Sequence, residues 1–194
     1  MTKIILASGS PRRKDLLAQV GIPFEVIVSN ADETISGPPE QQVQALALRK
    51  AKAVQDERPN SAEIIIAADT LVYIDAKVLG KPQNPQEAFD MLKTLSGRGH
   101  TVYTGVALLG KNHKRVFADS TNVYFRNLTD HEIRAYIATG EPMDKAGAYG
   151  VQDKGALLVD RIEGDYFTVV GLPVAKVAAA LREMGAEVWG STAL

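Results

Sequence analysis

The sequence predicts a mixed-sheet α/β fold with flanking helices. Apolar runs typical of buried strands, at residues 4–7 and 63–68, alternate with segments whose apolar residues recur at helical spacing. Two further strand-like segments, residues 101–109 and 115–125, are separated by a short polar connection. Because a short connection joins antiparallel neighbours, we expect a mixed sheet rather than a purely parallel one.

Length and composition restrict the class of protein. The 194 residues fit a single domain over residues 1–194, with a split or bilobed body. The formal net charge of -1 creates no global field that attracts nucleic acid or an anionic membrane, so we expect neither as a partner. There is no cysteine, which excludes disulfides, thiolate metal sites and a cysteine nucleophile. The apolar runs are too short for a signal peptide or a membrane span, and we expect a cytoplasmic protein.

Spacing and capping residues place the individual elements. Strands are predicted at residues 4–7, 24–28, 63–68, 70–74, 101–109, 115–125 and 157–162. Helices are predicted to start near Pro11, Glu40, Pro85, Asp130 and Pro173. Two of these starts carry predicted capping boxes, at Asn84 with Glu87 and at Thr129 with Glu132. Residues 144–155, rich in small side chains, predict a functional or tightly packed loop.

The stretch ASGSPRRK, residues 7–14, follows the first predicted strand. Ser10 fits a helix N-cap and Pro11 the first helical position. One interpretation is a capped helix whose arginines are solvated. The other is an anion site, since free backbone N–H groups, serine hydroxyls and the guanidinium groups of Arg12 and Arg13 would surround a phosphate.

Two further residues are unusual for their predicted elements. Asp69 comes directly after a buried strand, at the edge where α/β proteins place ligands, although a turn aspartate would also end a strand. Lys50 falls in the middle of the apolar face of the helix predicted over residues 40–57. Such a lysine either extends past the edge of the face or reaches a buried anionic partner.

Lys81 and Glu33 are less distinctive, and each would ordinarily be a solvated surface residue. Together with the other candidates they describe a coherent chemistry. Four cations would bind phosphate groups: Arg12, Arg13, Lys50 and Lys81. The acids Asp69 and Glu33 would hold Mg²⁺ or Mn²⁺, or activate the water that attacks a phosphate ester or anhydride.

The ordered set of motifs resembles the Maf proteins over nearly the whole chain, from about residue 3 to 185. The motifs are Leu6-Ala7-Ser8-Gly9-Ser10-Pro11-Arg12-Arg13, Asp32-Glu33, Lys50-Ala51, Ala68-Asp69-Thr70, Gly80-Lys81-Pro82, Tyr103-Thr104-Gly105 and Gly164-Asp165-Tyr166 with Gly171-Leu172-Pro173. The resemblance implies an inosine-triphosphatase-like, bilobed fold with a central cleft. It also implies a nucleoside triphosphate pyrophosphatase that cleaves between the α- and β-phosphates, and it suggests a homodimer.

The resemblance further implies a role for each matching residue. Asp69 resembles the proton acceptor for the hydrolytic water, and Glu33 would join it in holding the divalent metal. The residues that would contact the phosphates are Ser8, Ser10, Arg13, Lys50 and Lys81.

Three positions separate the subgroups of the family, and here they are Arg12, Thr70 and Gln152. This combination looks like the subgroup that cleaves dTTP and UTP, and it would also act on modified pyrimidine triphosphates. The alternatives are the 7-methyl-GTP subgroup and a nucleotide-binding regulator of cell division with little catalysis.

Overall fold

The computed structural model of the protein describes residues 2–58 and 62–189. The chain divides into two compact units. Unit 1 comprises the described residues within Met1–Asp69, Thr104–Asp119 and Gly171–Leu194. Unit 2 comprises Thr70–Tyr103 and Ser120–Val170. The single-domain description of the chain stays a prediction.

In the described residues, strands and helices interleave as the sequence predicts. In chain order they are β1 (Ile4–Leu6), α1 (Pro11–Gln19), β2 (Glu25–Val26), α2 (Pro39–Asp56), β3 (Ile64–Ile74), β4 (Lys77–Leu79), α3 (Pro85–Leu95), β5 (Gly99–Leu109), β6 (Lys114–Phe125), α4 (Asp130–Ala138), β7 (Val159–Glu163), α5 (Tyr166–Val170) and α6 (Val174–Glu183). Short 3₁₀ helices at Glu141–Asp144, Ala146–Ala148 and Asp153–Leu158 lie between α4 and β7. None of the helices in this described part of the chain has both the length and the apolar composition needed to cross a bilayer.

The strands form one mixed sheet, which confirms the predicted fold class. Its order is β2-β1-β3-β5-β6-β7, with β4 also paired to β3. Strand β1 runs parallel to β2 and β3, whereas β4 is antiparallel to β3 and β7 is antiparallel to β6. The neighbours β5 and β6 are joined by residues 110–113, where the Gly110 N–H donates to the His113 carbonyl at 2.9 Å. So short a connection makes them antiparallel, as expected.

In unit 1, helix α2 lies close against the sheet. Its buried face presents small residues, among them Ala47 and Ala51, to a core that includes Ile5, Ile65 and Ala107. A Cβ at Gly105 of β5 would fall on the carbonyl group of Val43 in α2. The missing side chain therefore allows the helix backbone to approach the strand directly.

In unit 2, the predicted small-residue loop is tightly packed. Gly147 adopts φ +69°, and a Cβ there would lie 2.9 Å from the Val72 side chain. Gly155 leaves no room for a Cβ because the Gly150 carbonyl oxygen occupies that place. The neighbouring core is rich in rings, including Phe125, Tyr136 and Tyr149.

The largest difference from the predicted elements concerns β3. We expected one strand to end before Asp69, but β3 runs through this residue as far as Ile74. Ile64, Ile65 and Ile66 pair with β1, and Val72, Tyr73 and Ile74 pair with β4. Strand β3 continues beyond its pairing with β1 because its last residues pair with β4. The apolar pattern of one segment does not reveal such a change of partner.

Smaller differences occur at element ends. Strand β2 covers only Glu25–Val26, and α5 was not predicted. At α3 the predicted capping box forms only in part. The Asn84 side chain accepts from the Glu87 N–H at 2.9 Å, but the Glu87 carboxylate accepts from the Gln83 N–H at 2.7 Å, one residue earlier than expected. At α4 both bonds of the box form between Thr129 and Glu132.

Candidate active site

The serine- and arginine-rich stretch is the turn between β1 and α1. Ser8 is buried two residues after the end of β1, and its Oγ accepts hydrogen bonds from the Ser10 N–H at 3.2 Å and from Arg13 Nη1 at 3.1 Å. Ser10 occupies the N-cap position and Pro11 the first helical position, as predicted, but the Ser10 side chain makes no capping hydrogen bond. The turn is therefore organised by the Ser8 hydroxyl.

Arg13 is half-buried and is held by two hydrogen bonds. Its Nε donates to the Gly171 carbonyl oxygen at 2.9 Å, in addition to the bond to Ser8. Burial lowers the pKa of the Arg13 guanidinium, and the nearby charge of Asp69 acts in the opposite direction. The interpretation of this stretch as a capped helix with solvated arginines is wrong for Arg13.

Lys50 reaches an anionic partner, Asp69, which is half-buried; this agrees with one of the two alternatives that the place of Lys50 on α2 allowed. Its Nζ lies 2.6 Å from Asp69 Oδ1 and 2.9 Å from Glu33 Oε1. The Lys50 and Asp69 side chains are 12% and 14% exposed, whereas the Glu33 side chain is 64% exposed. We call these three residues the lysine–carboxylate centre.

The three members of this centre come from β3 (Asp69), from α2 (Lys50) and from the connection between β2 and α2 (Glu33). Asp69 lies three residues beyond Ile66, where the parallel pairing of β1 with β3 ends, and Ser8 follows the same end of β1. Carboxyl ends of parallel strands are where α/β folds collect ligand-binding groups. Lys50 extends from α2. The negative charges of Asp69 and Glu33 both raise the pKa of Arg13, against the effect of burial. The arginine and the lysine–carboxylate centre thus belong to one charged site.

Sequence reasoning assigned no function to Arg49. Its Nη1 donates to the carbonyl oxygens of Asp32 at 2.8 Å and Thr34 at 3.0 Å. The Thr34 N–H in turn donates to the Asp32 carboxylate, and this hydrogen bond lowers the pKa of Asp32. Arg49 therefore braces the turn that carries Glu33. The signal was present in the sequence, since the adjacent cations Arg49-Lys50 match the adjacent acids Asp32-Glu33.

Asp69 and Glu33 suit a hard divalent cation. Carboxylate oxygens are the ligands that Mg²⁺ and Mn²⁺ prefer. Among the described residues, no group of three or more His, Cys, Asp or Glu side chains could hold a metal ion. Two carboxylates fit an ion that takes its other ligands from water and phosphate oxygens. That the pair already shares the Lys50 ammonium shows that both acids can face one cation.

Three predicted site residues belong to unit 2. Thr70 follows Asp69 in β3 and is half-buried. Lys81 is exposed, and the preceding Gly80 carbonyl accepts from the Gly147 N–H at 3.0 Å. Gln152 is half-buried at the start of the 3₁₀ helix Asp153–Leu158. Arg12, in unit 1, is half-buried in the first turn of α1. The roles of these four residues stay predictions.

A family model described as Maf-like protein matches residues 3–184. The chain belongs to the Maf-like family. This confirms the family resemblance that the ordered motifs indicated, over nearly the same residues.

Curated relatives in the family share half of the sequence. The chain is 50% identical over 190 residues to a protein of Bacillus cereus (strain ZK / E33L) named dTTP/UTP pyrophosphatase, with 97% of this chain and 98% of that protein covered. The same identity and coverage relate it to a protein of that name from Bacillus anthracis (strain CDC 684 / NRRL 3495). Among solved structures, a HAM1 protein from Coxiella burnetii is similar with a TM-score of 0.50 and 16% identity, covering 94% of this chain and 100% of that chain. This last likeness concerns the fold alone.

Proposed function

We propose that this protein is a nucleoside triphosphate pyrophosphatase that hydrolyses dTTP and UTP to the nucleoside monophosphate and diphosphate. The observation that carries the proposal is the lysine–carboxylate centre, found beside Arg13 in a chain that is 50% identical to proteins named dTTP/UTP pyrophosphatase. Modified pyrimidine triphosphates that keep the same base edge would also be substrates.

The start of α1 is one of the places assigned to the triphosphate. A helix N-terminus has unpaired N–H groups and the positive end of the helix dipole, both of which favour phosphate. The cationic and hydroxyl groups assigned to the phosphates are Ser8, Ser10, Arg13, Lys50 and Lys81. Arg13 is suited to this task because its bonds to Ser8 and Gly171 fix the guanidinium before any ligand binds.

Asp69 accepts a proton from the attacking water. As the water oxygen forms its bond to phosphorus, the bond to the leaving diphosphate breaks and the water proton passes to the Asp69 carboxylate. Lys50 Nζ lies 2.6 Å from Oδ1 of this carboxylate and fixes its orientation before metal and substrate bind. Asp69 and Glu33 would hold Mg²⁺ or Mn²⁺, which supplies Lewis-acid polarisation of the phosphate and charge neutralisation when bound.

The base is selected by Arg12, Thr70 and Gln152. Polar side chains that match the edge of a uracil-type ring would reject a base that leaves them unpaired. The residues at these positions support the pyrimidine subgroup over the one that acts on 7-methyl-GTP. A homodimer and a cytoplasmic location stay predictions.

Purified protein incubated with Mg²⁺ and a panel of dTTP, UTP, dATP, dGTP, dCTP and 7-methyl-GTP tests the proposal. We expect dTTP and UTP to be the preferred substrates, with monophosphate and diphosphate as products and Asp69→Asn as the inactive control. Release of orthophosphate would overturn the assigned reaction, and a preference for 7-methyl-GTP would overturn the subgroup. Saturable nucleotide binding with no product would instead favour the regulatory protein.

A further inference from the structure

The lysine–carboxylate centre pairs one lysine with the two acids that are proposed to hold the metal. Lys50 Nζ contacts one oxygen of each acid, Asp69 Oδ1 at 2.6 Å and Glu33 Oε1 at 2.9 Å. Both distances are those of strong charge-assisted hydrogen bonds. The ammonium therefore lies where the two carboxylates converge.

An ammonium and a divalent cation exclude each other at such a point. A Mg²⁺ ion lies about 2.1 Å from each of its oxygen ligands, so an ion shared by the same two oxygens would overlap the Lys50 nitrogen. Two cations at that separation also repel strongly. One of the two must leave before the other can use these oxygens.

The side chains of the centre differ in their freedom to move. Asp69 belongs to the long strand β3 and is 14% exposed, which restricts its side chain. Arg49 braces the turn that carries Glu33. The Glu33 side chain is 64% exposed and can adjust to either cation. Of the two less exposed members, Lys50 moves more easily than Asp69, because it has a flexible four-carbon chain with a rotatable ammonium group.

We propose that Lys50 competes with the divalent cation for Asp69 and Glu33, and that binding of the cation releases the lysine towards the substrate phosphates. This inference rests on the metal-holding role given to both acids under the proposed function. Lys50 then has two successive partners. Before the metal binds, it keeps two like-charged carboxylates together, and afterwards it is a phosphate ligand.

Binding of Mn²⁺ alone, followed by electron paramagnetic resonance without nucleotide, tests the competition. Lys50→Met removes the competing charge, so we expect Mn²⁺ to bind about tenfold more tightly than to the wild-type protein. Lys52→Met is the matched control, because Lys52 is exposed on the same helix and its removal changes the net charge equally. We expect this control to stay within about twofold of the wild type. Equal or weaker Mn²⁺ binding by Lys50→Met would overturn the proposal, since loss of a merely structural contact does not tighten metal binding.

A second measurement uses the wild-type protein and does not depend on the folding of a variant. Lysine acetylation by an amine-reactive ester is followed by peptide mass spectrometry, with and without saturating Mg²⁺. An ion-paired ammonium that is 12% exposed reacts slowly, so we expect release by Mg²⁺ to raise Lys50 acetylation severalfold while Lys52 stays unchanged. An unchanged Lys50 rate would overturn the proposal.

Failure of this inference is distinguishable from failure of the proposed function. If the protein cleaves dTTP and UTP but Lys50→Met binds Mn²⁺ no better than the wild type, the proposed competition is wrong and the proposed function stands. If the variants bind Mn²⁺ as expected but the protein forms no nucleotide product, the competition stands and the assigned reaction is wrong.

Discussion

Lys50 in unit 1 and His100 in unit 2 are both polar side chains inside the fold, but the protein treats them in opposite ways. Lys50 Nζ lies 2.6 Å from an Asp69 oxygen and 2.9 Å from a Glu33 oxygen, so two negative charges face the lysine. His100 packs edge-to-face against Phe125 and Tyr149, with ring centroids 5.2 and 5.3 Å away. Burial among these rings lowers the pKa of His100 to about 4, so its imidazole is neutral at pH 7.

The hydrogen bonds of His100 support the same distinction. Its Nε2 lies 2.7 Å from the Tyr149 hydroxyl, while its Nδ1 is buried with no hydrogen-bond partner among the described residues. A neutral imidazole packed among aromatic rings is typical of a core residue, whereas a lysine beside two carboxylates that follow the end of a parallel strand pair is typical of a ligand site. The comparison therefore predicts large effects on turnover in unit 1 and effects on stability alone at His100.

The largest expected effect is on turnover in Asp69→Asn. Loss of the proton acceptor lowers kcat by about 10²–10⁴-fold. The free energy of unfolding changes by about 1 kcal/mol, since the Asn side-chain oxygen can still accept a hydrogen bond from Lys50 and Lys50 keeps its second partner, Glu33. Steady-state kinetics and urea unfolding measure the two quantities.

Asp56→Asn, at an exposed position in the last turn of α2, is the control and keeps wild-type turnover. A loss of only twofold in Asp69→Asn would mean that another group accepts the proton. The expectation of large effects on turnover in unit 1 would then be wrong.

Gly105→Ala tests whether the position of α2, the helix that carries Lys50, matters for both stability and turnover. The added Cβ falls on the Val43 backbone, which cannot move aside as a side chain would. We expect the free energy of unfolding to drop by about 3 kcal/mol, together with a loss of turnover. Gly80→Ala, whose Cβ meets nothing within 4 Å, is the control for stability and is expected to cost nothing. Equal stability of both variants would show that α2 tolerates displacement.

Acid pH tests the opposite behaviour at His100. Its folded-state pKa of about 4 lies below the ordinary value of 6.5, so the unfolded state binds more protons between these limits. Stability is therefore lost as the pH falls from 6.5 to 4, by up to about 3 kcal/mol from this group. Urea unfolding across this range measures the loss.

His100→Phe removes that part of the pH dependence and leaves turnover at neutral pH unchanged. His131→Gln, at an exposed histidine of α4, keeps the wild-type profile. Should His100→Phe abolish turnover while remaining folded, the histidine would have a role in the reaction and the distinction between the two groups would fail.

The smallest expected effect comes from Thr129→Ala at the start of α4. The variant loses the side-chain half of a complete capping box, so thermal unfolding should show a loss of about 1 kcal/mol. Turnover should stay at the wild-type level, because this cap serves only the local helix. A change in kcat would connect α4 to catalysis.

Much of the fold and part of the site were predictable because they depend on local chemistry. The Ser10-Pro11 start placed α1, helical spacing placed α2, and the box at Thr129 formed as expected. Lys50 could be recognised as a candidate site residue, because a lysine in the apolar face of a helix must either reach an anionic partner or extend past the edge of that face into solvent. The extent of β3 was not predictable, since strand ends depend on which neighbours are available for pairing.

The sequence by itself determined the mixed α/β class, the order of most helices and strands and the unusual position of Lys50, because period, capping and composition act over a few residues. Only the tertiary structure decided which partner Lys50 takes, that Asp69 lies within a continuous strand, and that Arg49 braces the Glu33 turn. These contacts join residues that are 15 to 19 positions apart in the chain. Such pairings follow from helix and strand packing, and no local pattern specifies their distances.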